Sequence, residues 1–260
     1  MNILQKSIAV FIVAIGCAGC VCFDSDNKIQ IFNGKNLEGW DIFFAGRKPN
    51  NDPNNVVSVN NGELVFSGKE FGGIATKTEF ENFRIVVEYK WRGDTHADRK
   101  TKARDSGLLF ASKGEFGSCY GAWINSLEVN IIEGATGDFI LAMQNSDDFT
   151  MVSEVNSTTG EYQKGGLPII ANKANFVAIR RIGRDANWQD KINAKDLNNL
   201  EKGVGQWNRL ECVFKNGEVD VFLNGVFVNH LDNYFPRVGK LQLQSEGAGI
   251  VFRKVEIQPL

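Results

Sequence analysis

The clearest pattern in the chain is a strict alternation of apolar and polar side chains. Over residues 83–91, Phe83, Ile85, Val87, Tyr89 and Trp91 share one face, while Arg84, Val86, Glu88 and Lys90 take the other, a row that Arg92 continues. Strand side chains point alternately to opposite faces, so this period of two predicts a strand with one buried face. The same reading applies to residues 127–133, where Leu127, Val129 and Ile131 oppose Glu128 and Asn130. In residues 241–246, Leu241 and Leu243 oppose Gln242, Gln244 and Glu246. Between such runs lie turn signals: Asn60-Asn61-Gly62, Gly72-Gly73, Asn216-Gly217 and Asn224-Gly225. Asn-Gly accepts the positive φ of a tight hairpin turn, so residues 209–214, 219–223 and 226–229 read as successive antiparallel strands. No stretch holds a 3.6-residue period over three turns, and residues 93–104 and 187–200 read as long polar loops. The pattern predicts an all-β chain in which residues 31–260 form one antiparallel two-sheet β-sandwich.

Composition sharpens this picture at three points. Among 260 residues there are 27 Gly and 19 Phe but only 5 Pro, which suits many tight turns around an aromatic core. With 29 basic against 31 acidic residues there is no basic excess to bind nucleic acid. Only two histidines occur, His96 and His230, and the body carries only Cys119 and Cys212, so a His-rich or Cys-x-x-Cys metal site is excluded. Cys212 sits on the apolar side of its strand and reads as a buried free thiol.

The N-terminus stands apart. Lys6 precedes an apolar run over residues 8–15, followed by Gly16-Cys17-Ala18-Gly19-Cys20. The order predicts a signal peptide over residues 1–19, since the run is shorter than the ~20 residues a membrane span needs. Small residues before a cysteine resemble a bacterial lipoprotein signal. On that reading Cys20 or Cys17 carries the lipid and residues 20–30 form a tether. The protein is then an exported lipoprotein of the periplasm or outer membrane, held to the membrane by its anchor. An ordinary cleaved signal with incidental cysteines is the plainer alternative.

Several polar rows suggest chemistry. Glu88, Lys90 and Arg92, Glu128 and Asn130, and Gln242, Gln244 and Glu246 each share a strand face. Together they suggest a hydrogen-bonding floor of the kind that recognises sugars, with Trp123, Trp188 and Trp207 as stacking candidates. A solvated outer sheet is the bland alternative. Glu128 and Glu133 lie five apart and point to opposite faces of a regular strand; a bulge near Ile131-Ile132 would bring both to one side as a carboxylate pair for glycosidic chemistry. The spacing resembles the Glu-x-Asp-x-x-Glu signature of jelly-roll glucanases, but Asn130 stands where those enzymes need Asp. Asp105-Ser106-Gly107 opens an apolar strand over residues 108–111. No Gly-x-Ser-x-Gly elbow accompanies it, which disfavours serine hydrolysis.

The ordered segments resemble the 3-keto-disaccharide hydrolase domain family. The matching stretches include Ile31-Phe-Asn-Gly-Lys-Asn-Leu-Glu-Gly-Trp40, Arg104-Asp-Ser-Gly-Leu-Leu109, Ser126-Leu-Glu-Val-Asn-Ile-Ile-Glu-Gly134, Gly205-Gln-Trp-Asn208 and Leu243-Gln-Ser-Glu-Gly247. The resemblance implies a concanavalin A-like jelly roll with a concave sugar-binding face. It also implies cleavage of glycosides already oxidised to a ketone at C3, whose acidified C2–H permits elimination of the C1 substituent and later hydration. On these motifs Glu128 and Glu133 are the leading acid/base candidates, followed by Asp105 and Glu246. Lys77, Arg92 and Arg104 are candidates for the enolate or hydroxyls, and Asn130, Trp207 and Gln244 for substrate contact. No cofactor is called for, and a carboxylate-held divalent cation is compatible but unsupported. One departure stands out: related sequences often show Tyr-His where this chain has Phe110-Ala111. A non-catalytic carbohydrate-binding lipoprotein on the same fold is the alternative.

Overall fold

The computed structural model describes residues 28–260. The signal peptide, the candidate lipidation positions Cys17 and Cys20, and most of the expected tether lie outside the described residues. In chain order the strands are β1 Ile29–Gln30, β2 Trp40–Phe44, β3 Val57–Asn60, β4 Glu63–Phe66, β5 Gly72–Thr76 and β6 Phe83–Thr95. After a 3-10 turn at Ala97–Lys100 come β7 Asp105–Ser112, β8 Ser126–Ile132, β9 Phe139–Ala142, β10 Thr150–Val155 and β11 Leu167–Ala171. The chain finishes with β12 Asn208–Lys215, β13 Glu218–Leu223, β14 Val226–Leu231, β15 Asn233–Phe235, β16 Lys240–Ser245 and β17 Ala248–Pro259.

These strands build an antiparallel jelly-roll sandwich. One sheet runs β14-β13-β12-β6-β17-β4-β3, with β1 added along β17, and the other runs β2-β5-β16-β7-β8-β9. A small third sheet, β11-β10-β15, sits beside them. The apolar rows meet between the two large sheets. Phe83, Ile85, Val87, Tyr89 and Trp91 of β6 and Leu210, Cys212 and Phe214 of β12 face Leu108 and Phe110 of β7, Leu127, Val129 and Ile131 of β8, and Leu241 and Leu243 of β16 in one core. At its centre Phe110 lies 5.8 Å from Phe83 and 5.4 Å from Phe214, ring centre to ring centre. Each such ring contributes about 1.5–3 kcal/mol by leaving water.

Several turns fall where the pattern puts them. Asn216 and Gly217 have φ of 54° and 95°, and Asn224 and Gly225 have 51° and 86°, as successive left-handed turn residues require. Other expectations change. Gly72-Gly73 lies inside β5 and makes no turn: a Cβ on Gly73 would come within 2.1 Å of the Leu243 carbonyl oxygen, so glycine permits close approach of neighbouring backbone. The domain also reaches back into the expected tether, since Ile29 and Gln30 pair with Ile257 and Glu256. Strand β6 continues four residues past Trp91, paired to β17 as far as Thr95 opposite Ala248.

Candidate active site

The sheet assignment separates the polar rows. Glu88, Lys90 and Arg92 lie on the outer face of the larger sheet, whereas Glu128, Asn130, Gln242 and Gln244 lie on the outer face of the smaller one. The expected single floor of three rows is therefore two surfaces on opposite sides of the molecule. The row on β6 is tied up in surface pairs, Lys90 with Glu63 at 3.2 Å and Arg253 with Glu88 at 2.6 Å.

On the smaller sheet, register sets the order of the site. Across β7 and β8, Asp105 is opposite Ile132, Gly107 opposite Asn130, and Leu109 opposite Glu128. Glu128 is in turn opposite Ile140 of β9, and Leu109 is opposite Gln242 of β16. Glu246 follows β16 directly. Asp105, Glu128, Asn130, Gln244 and Glu246 consequently line one cavity of about 270 Å³, completed by Cys119, Tyr120, Trp123, Ile140, Leu141, Ala142 and Phe176. Asp105, Glu128 and Gln244 are buried. The segment covering them includes Trp123, whose indole donates to the Gly72 carbonyl at 2.9 Å.

Among the described residues one cation pairs with this cluster. Arg99, in the 3-10 turn, places the same nitrogen, Nη2, on Asp105 and, at 3.0 Å, on Glu246. Its Nη1 reaches Asp190 at 3.2 Å. Burial pushes the Asp105 carboxyl well above its ordinary range, and Glu246 and Glu128 add to the rise against the pull of Arg99. Glu128 is likewise pushed well up, by burial and then by Glu246, with Gln244 and Arg99 opposing. Glu246 is raised by burial and held back by Arg99. Glu128 alone of the three has no guanidinium contact, so it is the carboxyl that most readily carries a proton, while Arg99 favours charge on its two partners. The amide oxygens of Asn130 and Gln244 are buried with no hydrogen-bond partner among the described residues, in side chains that line the cavity. Cys119, also in the cavity wall, has its thiol pushed up to about 12 by burial and the nearby Glu128 and Glu246. Among the described residues no group of three or more His, Cys, Asp or Glu is arranged to hold a metal ion.

The remaining candidates lie elsewhere. The β7–β8 pairing runs without a register shift from Asp105–Ile132 to Phe110–Leu127, so there is no bulge to turn Glu133 toward Glu128. Glu133 instead forms a buried ion pair with Arg104 at 2.5 Å and accepts from the Asn193 backbone at 3.1 Å, holding the loop before β12 against the sandwich. Arg104 is therefore occupied as well, its second nitrogen donating to the Gly93 carbonyl at 3.1 Å. Lys77 is exposed, 3.9 Å from Asp41, and Arg92 pairs with Asp94 at 3.5 Å; neither lines the cavity. Trp207 lies on the other sheet, between Lys90 at 4.3 Å and Arg253 at 4.4 Å. Trp188 packs under Arg184 at 4.7 Å, leaving Trp123 as the candidate tryptophan in the cavity wall. Phe110 and Ala111 both belong to the core, so the departure from Tyr-His puts no side chain into the cavity. Arg99 was hidden in the charged run 93–104, which carries several equivalent cations. Tyr120, Ile140 and Phe176 had no motif to mark them.

Comparison with known proteins places this geometry. Residues 27–258 match the family described as 3-keto-alpha-glucoside-1,2-lyase-like domain. The chain belongs to this family. The match to the 3-keto-alpha-glucoside-1,2-lyase-like domain spans both sheets and the cavity, and ties the chain to glycoside chemistry. Two structures from Parabacteroides distasonis ATCC 8503, each described as a "putative glycosyl hydrolase", share the fold. One is 20% identical with a TM-score of 0.51, covering 90% of this chain and 94% of its own; the other is 19% identical with a TM-score of 0.52, covering 90% and 100%. The carbohydrate binding module CBM66 from Bacillus subtilis is also similar, at 11% identity and a TM-score of 0.48, covering 85% of this chain and 96% of its own. A comparison with curated proteins found no match.

Proposed function

We propose that this domain cleaves 3-keto-glycosides by elimination and hydration, using the carboxylates gathered by Arg99. The observation that carries the reading is that Asp105, Glu128 and Glu246 line one cavity, with two of them on a single guanidinium nitrogen and the third free of it. In the reaction Glu246, the more accessible of the Arg99-paired carboxylates, removes the C2 proton of the ketosugar. The electron pair moves into the C2–C3 bond and the charge onto the C3 oxygen. The enolate then re-forms the C3 ketone and expels the C1 oxygen, which takes the proton of Glu128. The product alcohol leaves, and an enone with a C1–C2 double bond remains. Water adds at C1 and a proton returns to C2, so the net change is hydrolysis. Asn130 and Gln244 bind the sugar hydroxyls, and the side-chain amide N–H of Asn130 donates to the C3 oxygen. A separated acid and base, each with a tuned pKa, are what this sequence of proton transfers needs.

The test is incubation with a methyl 3-keto-glucoside in deuterated water. Expected are release of methanol, a transient enone absorbance and deuterium at C2 of the product, with Glu128→Gln lowering turnover at least a hundredfold. Turnover without deuterium at C2, or a Glu128→Gln variant as active as the parent, overturns the assignment. Tight binding of the ketosugar with no turnover identifies a carbohydrate-binding protein instead. On the strength of residues 6–20 we also propose export and lipid anchoring at Cys20 or Cys17. Labelling with a palmitate analogue should be abolished in the double variant Cys17→Ser/Cys20→Ser, and labelling that persists rejects the anchor.

A further inference from the structure

The cavity is not uniformly polar: its chemistry changes along the direction of the strands. At one end are Asp105 and Glu246 with Arg99 between them. In the middle row stand Asn130 and Gln244, with Gly107 beneath, and the next row holds Glu128 between Leu109 and Ile140. Beyond Glu128 the cavity wall turns apolar: Gln242 and Ser126 lie on the same face but bond each other, Ser112 and Ile124, and do not line the cavity. Leu109, Cys119 and Ala142 form a buried apolar cluster against Trp123, and Ala142 pairs with Ser126 two residues further along β8. At the mouth stand two large aromatic side chains that the fold leaves uncovered, Tyr120 at 62% exposure and Phe176 at 57%. Exposed rings beside a concave site mark a surface kept for a ligand.

Glu128 therefore stands on the boundary between a polar half that suits a sugar and an apolar half that does not. Resting on the function proposed above, we infer that the apolar half receives the leaving group, and that the preferred substrates are 3-keto-glycosides of an apolar or aromatic alcohol. With the ketosugar on Asn130, Gln244 and Glu246, the glycosidic oxygen lies at Glu128 and the group attached to it continues onto Trp123, Tyr120 and Phe176. A second sugar placed there would leave its hydroxyls facing Ile140 and Ala142, which offer no side-chain hydrogen bonds. Desolvating such groups without partners costs binding, whereas an aromatic ring gains by burial and by ring–ring contact.

The test compares methyl and 2-phenylethyl 3-keto-glucosides of one anomeric configuration, whose leaving alcohols are of similar basicity, with a 3-keto-disaccharide. The phenylethyl glycoside should show a kcat/KM at least tenfold above the other two, in line with what one apolar group gains in a matched pocket. The double variant Tyr120→Ala/Phe176→Ala should lose that advantage, the phenylethyl glycoside falling to the level of the methyl one. A disaccharide preferred over the phenylethyl compound, or an advantage that survives the double variant, overturns the inference and leaves the proposed reaction intact. Should no compound be turned over, the reaction proposal fails while the inference is still decided by binding, followed by calorimetric titration. The phenylethyl compound must bind at least tenfold tighter than the methyl one, and equal binding refutes the apolar subsite.

Discussion

Gly107 offers the sharpest probe of whether the observed position of Glu128 is the working one. An added Cβ at this residue would lie 2.5 Å from the Gln244 Oε1 and 2.6 Å from the Glu128 Oε1. Carbon and oxygen rest comfortably at about 3.3 Å or more, so Gly107→Ala must drive both oxygens back by roughly 0.7 Å. The backbone itself accepts alanine, because Gly107 sits in regular strand and lacks the positive φ that demands glycine. Glycine in a strand costs about 0.5–1 kcal/mol relative to alanine, and overpacking costs about 1–3 kcal/mol, so the net loss is at most about 2.5 kcal/mol. For a domain of this size that lowers Tm by no more than about 10 °C. Catalysis is far more sensitive, since a displacement near 1 Å can cost about a hundredfold in rate. The assay is kcat/KM on a 3-keto-glucoside beside a thermal melt. A folded Gly107→Ala protein with parental turnover would show that chemistry does not depend on Glu128 and Gln244 where they now stand.

Three further outcomes follow from the charges. Glu128 has its pKa raised by folding, so the folded state holds a proton that the unfolded chain releases, and stability falls as pH rises from the ordinary carboxylate range toward the raised value. Glu128→Gln should therefore raise Tm, and by more at pH 8 than at pH 5; a gain independent of pH contradicts the burial argument. Glu133→Ala should lower stability by about 3 kcal/mol in chemical denaturation, since it strands Arg104 in a buried ion pair, while kcat of the folded protein holds; a selective loss of kcat would return Glu133 to the active site. The Cys119 thiol, pushed up to about 12, should resist iodoacetamide at pH 8 until the protein is unfolded in denaturant, and rapid native labelling would show the thiol exposed or ionised.

Much of the fold was legible because the strands that build the core carry the strongest alternation. Residues 83–91, 127–131 and 241–243 each present an unbroken apolar row, and Asn-Gly fixes the register of the hairpins after β12. Strands β10 and β11 were not legible: Ser153 occupies an inward position, and most of β11 is uncovered, so burial and hydropathy do not coincide there. Within the site, alternation identified Glu128, Asn130 and Gln244 as sharing faces, and a period of two is all that required. It did not reveal that β6 belongs to the opposite sheet, because a strand's own sequence does not record its neighbours. Glu133 illustrates the same limit: its partner Arg104 is 29 residues away and meets it only through the pairing of β7 with β8. Arg99 is the clearest omission, since one of many cations in a surface-like run becomes the cation of the cluster only when the 3-10 turn folds over Asp105.

On the proposed reaction, that cluster also limits the kind of sugar the cleft would accept. Arg99 faces Asp105, Glu246 and Asp190, and Glu128 stands nearby without a cation of its own. Once any two of these carboxyls are ionised the cavity carries excess negative charge, and a ligand bringing another carboxylate or a phosphate meets repulsion. At an effective dielectric of about 20, like charges about 4 Å apart repel by about 4 kcal/mol, and a quarter of that still lowers binding about fivefold. Neutral 3-keto-glucosides should therefore be preferred over 3-keto-glucuronides with the same leaving group, with the difference in kcat/KM shrinking as pH is lowered and the carboxyls protonate. Added salt should narrow it only slightly, because the charges are buried. A glucuronide turned over as well as the glucoside at neutral pH would mean that the cluster is more fully protonated than its single guanidinium implies.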